Sequence, residues 1–436
     1  MIRMRLAVLP WLLLLSGSAL PALANSGPGM RLASGAADVA RIAPPRIDQA
    51  LSTLVDSGEL VGVSALVWQD GREAYFGSFG LADREAGRPM ARDTIVQIYS
   101  MTKPLTGVAL MQLYEQGRLD LDAPLAQYLP EYAAVRVYAG TDVKGKPLLV
   151  APDRPILVRD ILRHTAGFAS GGNEPGPVGA MYRKADPENF GHTLEQMSRR
   201  LAGVPLLYQP GTRWLYSSAV DVQARLVEVL SGKPFARYLQ DHVLGPLGMD
   251  DTGYTLGEGD WPRVAALYQR SDDGVMTRIP DAKAYPLNRG GVALTPGSWG
   301  LTSTLDDYMR FARMLANGGQ LDGVRLLQPA TVRLMASDSL PAGITDTSWL
   351  PGKGRVGFGI DFAVRIAPPA RADEASGEVG EFFWDGAANT LFWVDPVNDI
   401  TAVLFAQWVP FGKVPLHKVF RDAVYADDTS AAAPRE

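Results

Sequence analysis

The sequence predicts a mixed α+β fold: strands from both ends of the chain pair into one antiparallel sheet flanked by terminal helices, and the middle forms a mostly helical lobe. Three observations carry this expectation. Runs rich in β-formers, separated by turn residues, cluster near residues 61–79 and again near 357–408. Between them, apolar residues recur at helical spacing. No internal repeat breaks that pattern.

Taken in order, Ile47, Ala50, Leu51 and Leu54 follow Pro44-Pro45 at helical spacing until Gly58 stops them, so the first element is a helix. Val61–Trp68 and Glu73–Phe79 are strands, joined at Gln69-Asp70-Gly71 by a hairpin turn. The helical lobe holds Leu105–Gln116, Val158–Arg163, Leu194–Leu201, Val220–Leu230 and Phe235–Val243, followed by Leu305–Leu315. Gly357–Val364, Glu378–Trp384, Thr390–Val394 and Thr401–Trp408 complete the sheet, and Leu416–Tyr425 is the closing helix. This makes residues 25–426 a single domain, with a sheet lobe of about 41–85 and 298–426 and a helical lobe of about 86–297. A cleft between lobes is the default place for a ligand.

Composition narrows the function. Against 47 Asp+Glu stand 42 Lys+Arg, a net charge of −5, which argues against a nucleic-acid binder that must neutralise phosphates. With 47% hydrophobic and 20% charged residues, the chain has material for a large core. The absence of cysteine excludes a disulfide framework, a thiol nucleophile and thiolate metal sites. His164, His192, His242 and His417 are widely spaced, so no His-rich metal site is expected and no cofactor is implied. Arg3 and Arg5, the apolar run Leu6–Leu15 and the small residues ending Ala22-Leu23-Ala24 have the order of a secretory signal covering residues 1–24, with cleavage before Asn25. The apolar run is shorter than the roughly 20 residues that span a bilayer. The expectation is an exported, periplasmic protein without a membrane partner once the signal is removed, and with a loose tail at 427–436. Nothing in the sequence specifies an oligomeric state.

Of all the lysines, only Lys103 has a serine three residues before it, giving Ser100-Met101-Thr102-Lys103. Val96–Tyr99 reads as extended, and the apolar spacing of Leu105, Val108, Ala109 and Leu113 places Ser100 at the opening turn of a helix. Unpaired N–H groups there favour a developing oxyanion, and Lys103 lies over the same face, within reach of the hydroxyl. A serine hydroxyl becomes a useful nucleophile only when a neighbour takes its proton. The competing account is a capping serine followed by a solvated lysine. Tyr216, in Trp214-Leu215-Tyr216-Ser217-Ser218, stands on a loop before a helix, and Trp384-Asp385-Gly386-Ala387 ends a strand at a glycine that permits close backbone approach. No G-x-S-x-G elbow is present.

In order and approximate spacing these three segments resemble the three boxes of the penicillin-recognising serine hydrolases, that is, class C β-lactamases and, more closely, family VIII carboxylesterases. Arg163-His164-Thr165-Ala166-Gly167-Phe168, Pro246–Thr252 and Gly300-Leu301-Thr302-Ser303-Thr304 with Asp307-Tyr308 extend the resemblance from about Ile47 to Tyr425. It implies a β-lactamase/penicillin-binding-protein-like fold. It makes Ser100 the acylated nucleophile, Lys103 and Tyr216 the proton-transfer pair, and the backbone N–H groups of Ser100 and Ala387 the oxyanion hole. Ser218, Trp384 and Gly386 are the expected substrate-binding residues. Two departures carry information. Trp384 stands where the lactamases have the lysine of K-T-G, so a substrate carboxylate loses its counterion and an uncharged group gains an apolar wall. Ser218 replaces an asparagine and cannot offer both amide donor and carbonyl acceptor. The expected activity is therefore hydrolysis of small uncharged esters. The alternatives are a β-lactamase or D-alanyl-D-alanine peptidase, and a non-catalytic periplasmic binding protein with the same fold.

Overall fold

The computed structural model describes residues 41–169, 174–344 and 353–426. The expected signal (1–24), the Gly/Ala/Ser-rich stretch to about residue 40 and the tail 427–436 lie outside the described residues. The helices that position the site are α1 (Pro44–Asp56), α2 (Thr102–Glu115), α3 (Ala219–Ser231), α4 (Leu305–Ala316) and α5 (Leu416–Tyr425). The two prolines that open α1 preset φ for its first turn, and its buried residues Ile47 and Leu51 lie one turn apart. From the same helix Arg46 Nε donates to Ala423 O in α5 at 2.7 Å, tying the two terminal helices together.

The strands of the main sheet are β1 (Gly62–Gln69), β2 (Arg72–Asp83), β3 (Arg88–Pro89), β4 (Val356–Phe358), β5 (Ala363–Arg365), β6 (Phe382–Asp385), β7 (Leu391–Asp395) and β8 (Ile400–Phe405). They lie in the order β4-β5-β6-β7-β8-β1-β2-β3, every neighbouring pair antiparallel. The two ends of the chain meet in mid-sheet, where Ser64 faces Phe405 and Trp68 faces Thr401. The expected hairpin turn is present, with Asp70 and Gly71 both left-handed at φ 52° and 72°. On the sheet rests α4, held at its start by Thr304, whose hydroxyl accepts from Asp307 N.

Three expected strands were drawn too long. Thr401–Trp408 leaves the main sheet after Phe405, and Trp408–Val409 pairs instead with Tyr268–Arg270. Gly357–Val364 is two short strands, β4 and β5, because Asp361 turns the chain back with φ 61°. Glu378–Trp384 becomes strand only at Phe382, since Gly380 is left-handed and Glu381 is taken up by Arg365 and Arg421. In the middle of the chain helices dominate, but a helix at Gly176–Ala185 and hairpins at Val137–Val150 and Tyr268–Arg278 join them. Among the described residues no helix is long and apolar enough to cross a membrane.

Candidate active site

Ser100 lies in a single 3-10 turn, Tyr99–Met101, that leads into α2. Its neighbour Tyr99 is left-handed at φ 47°, a conformation that costs a non-glycine residue of order 1–2 kcal/mol. The Tyr99 ring stacks near Trp299 with centroids 6.5 Å apart. The turn leaves Ser100 half-buried, whereas Met101, Thr102 and Lys103 are buried. The fold spends several hydrogen bonds fixing this turn. Ile98 N donates to Leu301 O at 3.0 Å, and Tyr308 Oη donates to Met101 O at 2.8 Å. From the next quoted segment, Asp251 N and Thr252 Oγ1 both donate to Asp307 at 2.8 Å. The segments singled out in the sequence are thus packed around the start of α2.

Lys103 is 3% exposed and its amine is directed by oxygen acceptors: Ser100 Oγ at 3.2 Å and Ser298 O at 2.8 Å. The same Nζ lies 4.5 Å from the centre of the Tyr216 ring, a cation–π contact. Tyr216 is held by its loop. Leu215 N donates to His164 O at 2.9 Å and Ser217 N to His164 Nδ1 at 3.3 Å. Accepting at Nδ1 leaves the His164 proton on Nε2, and complete burial, reinforced by Lys103, keeps the imidazole neutral by lowering its pKa well below the usual value. Aromatic rings enclose the phenol, with Trp214 at 6.0 Å, His164 at 4.9 Å and Trp384 at 5.5 Å between centroids. Trp384 is itself buried and also packs against Phe358, so it backs Tyr216 with apolar surface and brings no charge.

At the end of β6, Gly386 is required by close approach. A Cβ there would stand 2.3 Å from Thr390 Oγ1 and 2.4 Å from Ile98 O, two residues before the serine. Gly386 N donates to Thr390 O and Asn389 N to Gly386 O, both at 2.9 Å, closing a turn that leaves Ala387 exposed. Its N–H makes no hydrogen bond among the described residues. Gly386→Val is expected to push this turn off Ile98 and lower kcat by about a hundredfold with little change in KM, the size of effect known for loss of one oxyanion donor. Steady-state kinetics check this, and an unchanged kcat would refute the close-approach argument.

Asp385 is next to the Gly386 turn, where an uncompensated carboxylate would oppose developing negative charge. In the structure its carboxylate is paired with Lys353 Nζ at 2.5 Å, and Lys353 is 3.4 Å from His417 Nδ1. His417 Nε2 is 3.1 Å from Asn389 O in the Gly386 turn. Burial first and Lys353 second hold the His417 pKa down to about 3, so it stays neutral and donates to that carbonyl. Ser218 is brought near the site but spends its hydroxyl elsewhere: it donates to Glu188 Oε1 at 2.7 Å and lies 2.9 Å from Tyr182 Oη. Glu188 and Tyr182 went unnoticed in the sequence, as did Asp221 and Ser298. Of these only Ser298 carried a signal, lying two residues before the Gly300–Thr304 segment.

A family model described as Beta-lactamase matches residues 47–425. An uncharacterised protein of Mycobacterium tuberculosis is 36% identical over 365 residues, 81% of this chain and 88% of its own. Esterase EstB of Burkholderia gladioli is 31% identical over 403 residues, 87% of this chain and 95% of its own. The solved structure of EstCE1, a hydrolase with promiscuous acyltransferase activity, superposes with a TM-score of 0.72 at 28% identity, covering 88% of this chain and 98% of that one. Fold, matched span and relatives agree that the chain belongs to the β-lactamase family of penicillin-recognising serine hydrolases, as a carboxylesterase-like enzyme.

Proposed function

We propose that the enzyme hydrolyses small uncharged carboxylic esters through an acyl-enzyme on Ser100. The observation that carries this reading is the junction at Lys103, whose amine meets the Ser100 hydroxyl at 3.2 Å while covering the Tyr216 ring. Ser100 Oγ bonds to the acyl carbon, and its proton passes to the Lys103/Tyr216 pair. The tetrahedral oxyanion is held by the N–H groups of Ser100 and Ala387. The C–O bond of the ester then breaks and the alcohol leaves with the proton from the pair. Water, deprotonated by the same pair, bonds to the acyl carbon and releases the acid and Ser100. The Asp385 carboxylate does not oppose the oxyanion, because Lys353 neutralises it.

Substrate choice rests on Trp384. A buried indole beside Tyr216 offers an apolar surface where a cation would bind a carboxylate. Short-chain nitrophenyl esters are expected to turn over rapidly, and a cephalosporin reporter slowly. Trp384→Lys should move preference toward esters bearing a carboxylate. Fast cephalosporin turnover with inert esters would transfer the protein to the β-lactamase or peptidase reading. We further propose that the first 24 residues direct export to the periplasm. N-terminal sequencing of the protein from a periplasmic fraction should begin at Asn25, and a cytoplasmic protein retaining Met1 would refute this.

A further inference from the structure

Beneath the lysine lies a buried device that the acylation chemistry does not use directly. The segment Pro296-Gly297-Ser298-Trp299-Gly300 is wedged between α2 and α3. A Cβ on Gly297 would fall 2.5 Å from Val220 O, 2.8 Å from Ala224 Cβ and 3.1 Å from Thr106 Cγ2, so only glycine lets the chain pass there. Thr106 Oγ1, from α2, donates to Gly297 O at 2.7 Å and holds the wedge in place. From the first turn of α3, Asp221 accepts Ser298 N–H at Oδ1 at 2.9 Å and the Ser298 hydroxyl at 2.7 and 2.8 Å from its two oxygens. The carbonyl of that same serine is the 2.8 Å acceptor of the Lys103 amine. Asp221 is 2% exposed and Ser298 7%.

We infer that Asp221 is a positioning residue for the reaction: by gripping Ser298 at both its N–H and its hydroxyl, it aims the Ser298 carbonyl at Lys103 and so fixes the amine within reach of Ser100. This rests on the reading of Ser100 as the nucleophile. The argument is one of rotational freedom. A lysine has four side-chain torsions and three N–H donors, and a single 3.2 Å contact to a serine hydroxyl does not fix them. A second acceptor does when the residue that bears it is itself held: Asp221 holds Ser298 by its N–H, in the peptide preceding the carbonyl, and by its hydroxyl, which leaves the carbonyl little more than the rotation about ψ of Ser298.

The grip is sensitive to charge. Burial, followed by the Glu188 carboxylate, pushes the Asp221 pKa up to about 6, while the Ser298 hydrogen bonds and the Lys103 charge pull it back. The groups facing it are Lys103 from α2, Glu188, and the phenols of Tyr132, Tyr182 and Tyr254, all three phenols being raised by burial above the usual value. Above pH 6 Asp221 is anionic and accepts every Ser298 donor. Below pH 6 it is protonated and loses acceptor capacity and charge together, so the grip weakens as the solution becomes acidic.

The test compares wild type, Asp221→Asn, Ser298→Ala and Ser100→Ala in ester hydrolysis from pH 5 to 9. Asp221→Asn should lower kcat between about tenfold and a hundredfold with KM nearly unchanged, and should remove the fall in kcat/KM expected of wild type as the pH drops through about 6. Ser298→Ala, which keeps the N–H bond and loses the hydroxyl, should lose less and keep that fall. If Asp221→Asn were poorly folded, Ser298→Ala would still decide: wild-type kcat in a folded Ser298→Ala overturns the inference. So does an Asp221→Asn loss equal at every pH, which marks a purely structural role. Activity surviving in Ser100→Ala would instead overturn the nucleophile assignment itself.

Discussion

Ser100→Ala is expected to abolish ester turnover, with a loss of about 10⁴-fold or more in kcat, and to leave the fold intact. The hydroxyl is half-buried, and the hydrogen bond described for it runs to the Lys103 amine. Removing it therefore leaves no buried donor stranded, because Lys103 keeps Ser298 O. The turn itself is held by backbone bonds and by Tyr308, none of which involves the serine side chain. Melting temperature should change by a few degrees at most, while a fluorophosphonate probe that labels wild type leaves the variant unlabelled. Retained labelling at another residue would show that a different nucleophile carries the chemistry.

Tyr216→Phe and Lys103→Ala are each expected to cost on the order of a hundredfold or more in the acylation rate. They differ in what else they disturb. The phenylalanine keeps the ring that packs on His164, Trp214 and Trp384 and the face that meets the amine, so it tests the hydroxyl alone. The alanine empties a buried position and strands the Ser298 carbonyl, so it also lowers stability. Stopped-flow measurement of the acylation burst separates the two steps, and a Tyr216→Phe variant that acylates at the wild-type rate would confine proton transfer to Lys103.

What the sequence reveals here follows from how local each signal is. The Ser100/Lys103 pair was legible because three residues on a helix turn place the two groups together whatever the tertiary structure. Gly386 was legible as a residue type, although its reason, the Ile98 carbonyl, lies far back in the chain. The partners of the Ser218 hydroxyl, Glu188 and Tyr182, were not legible, because hydrogen-bond partners thirty and more residues away leave no periodic trace. The same holds for Asp221 and Ser298, which are 77 positions apart. The over-long strand at Gly357–Val364 failed for a different reason. Asp361 adopts a left-handed turn inside a run whose composition favours extension, and alternation of apolar residues continues across the reversal.

The seam between β1 and β8 has a consequence for the enzyme's early life. The first strand of the domain has β2 beside it at once but finds its second partner only among the last forty or so residues, so a chain still lacking β8 cannot complete the middle of the sheet that holds the Gly386 turn against the turn carrying Ser100. The two turns of the site therefore meet only once nearly the whole domain has been synthesised.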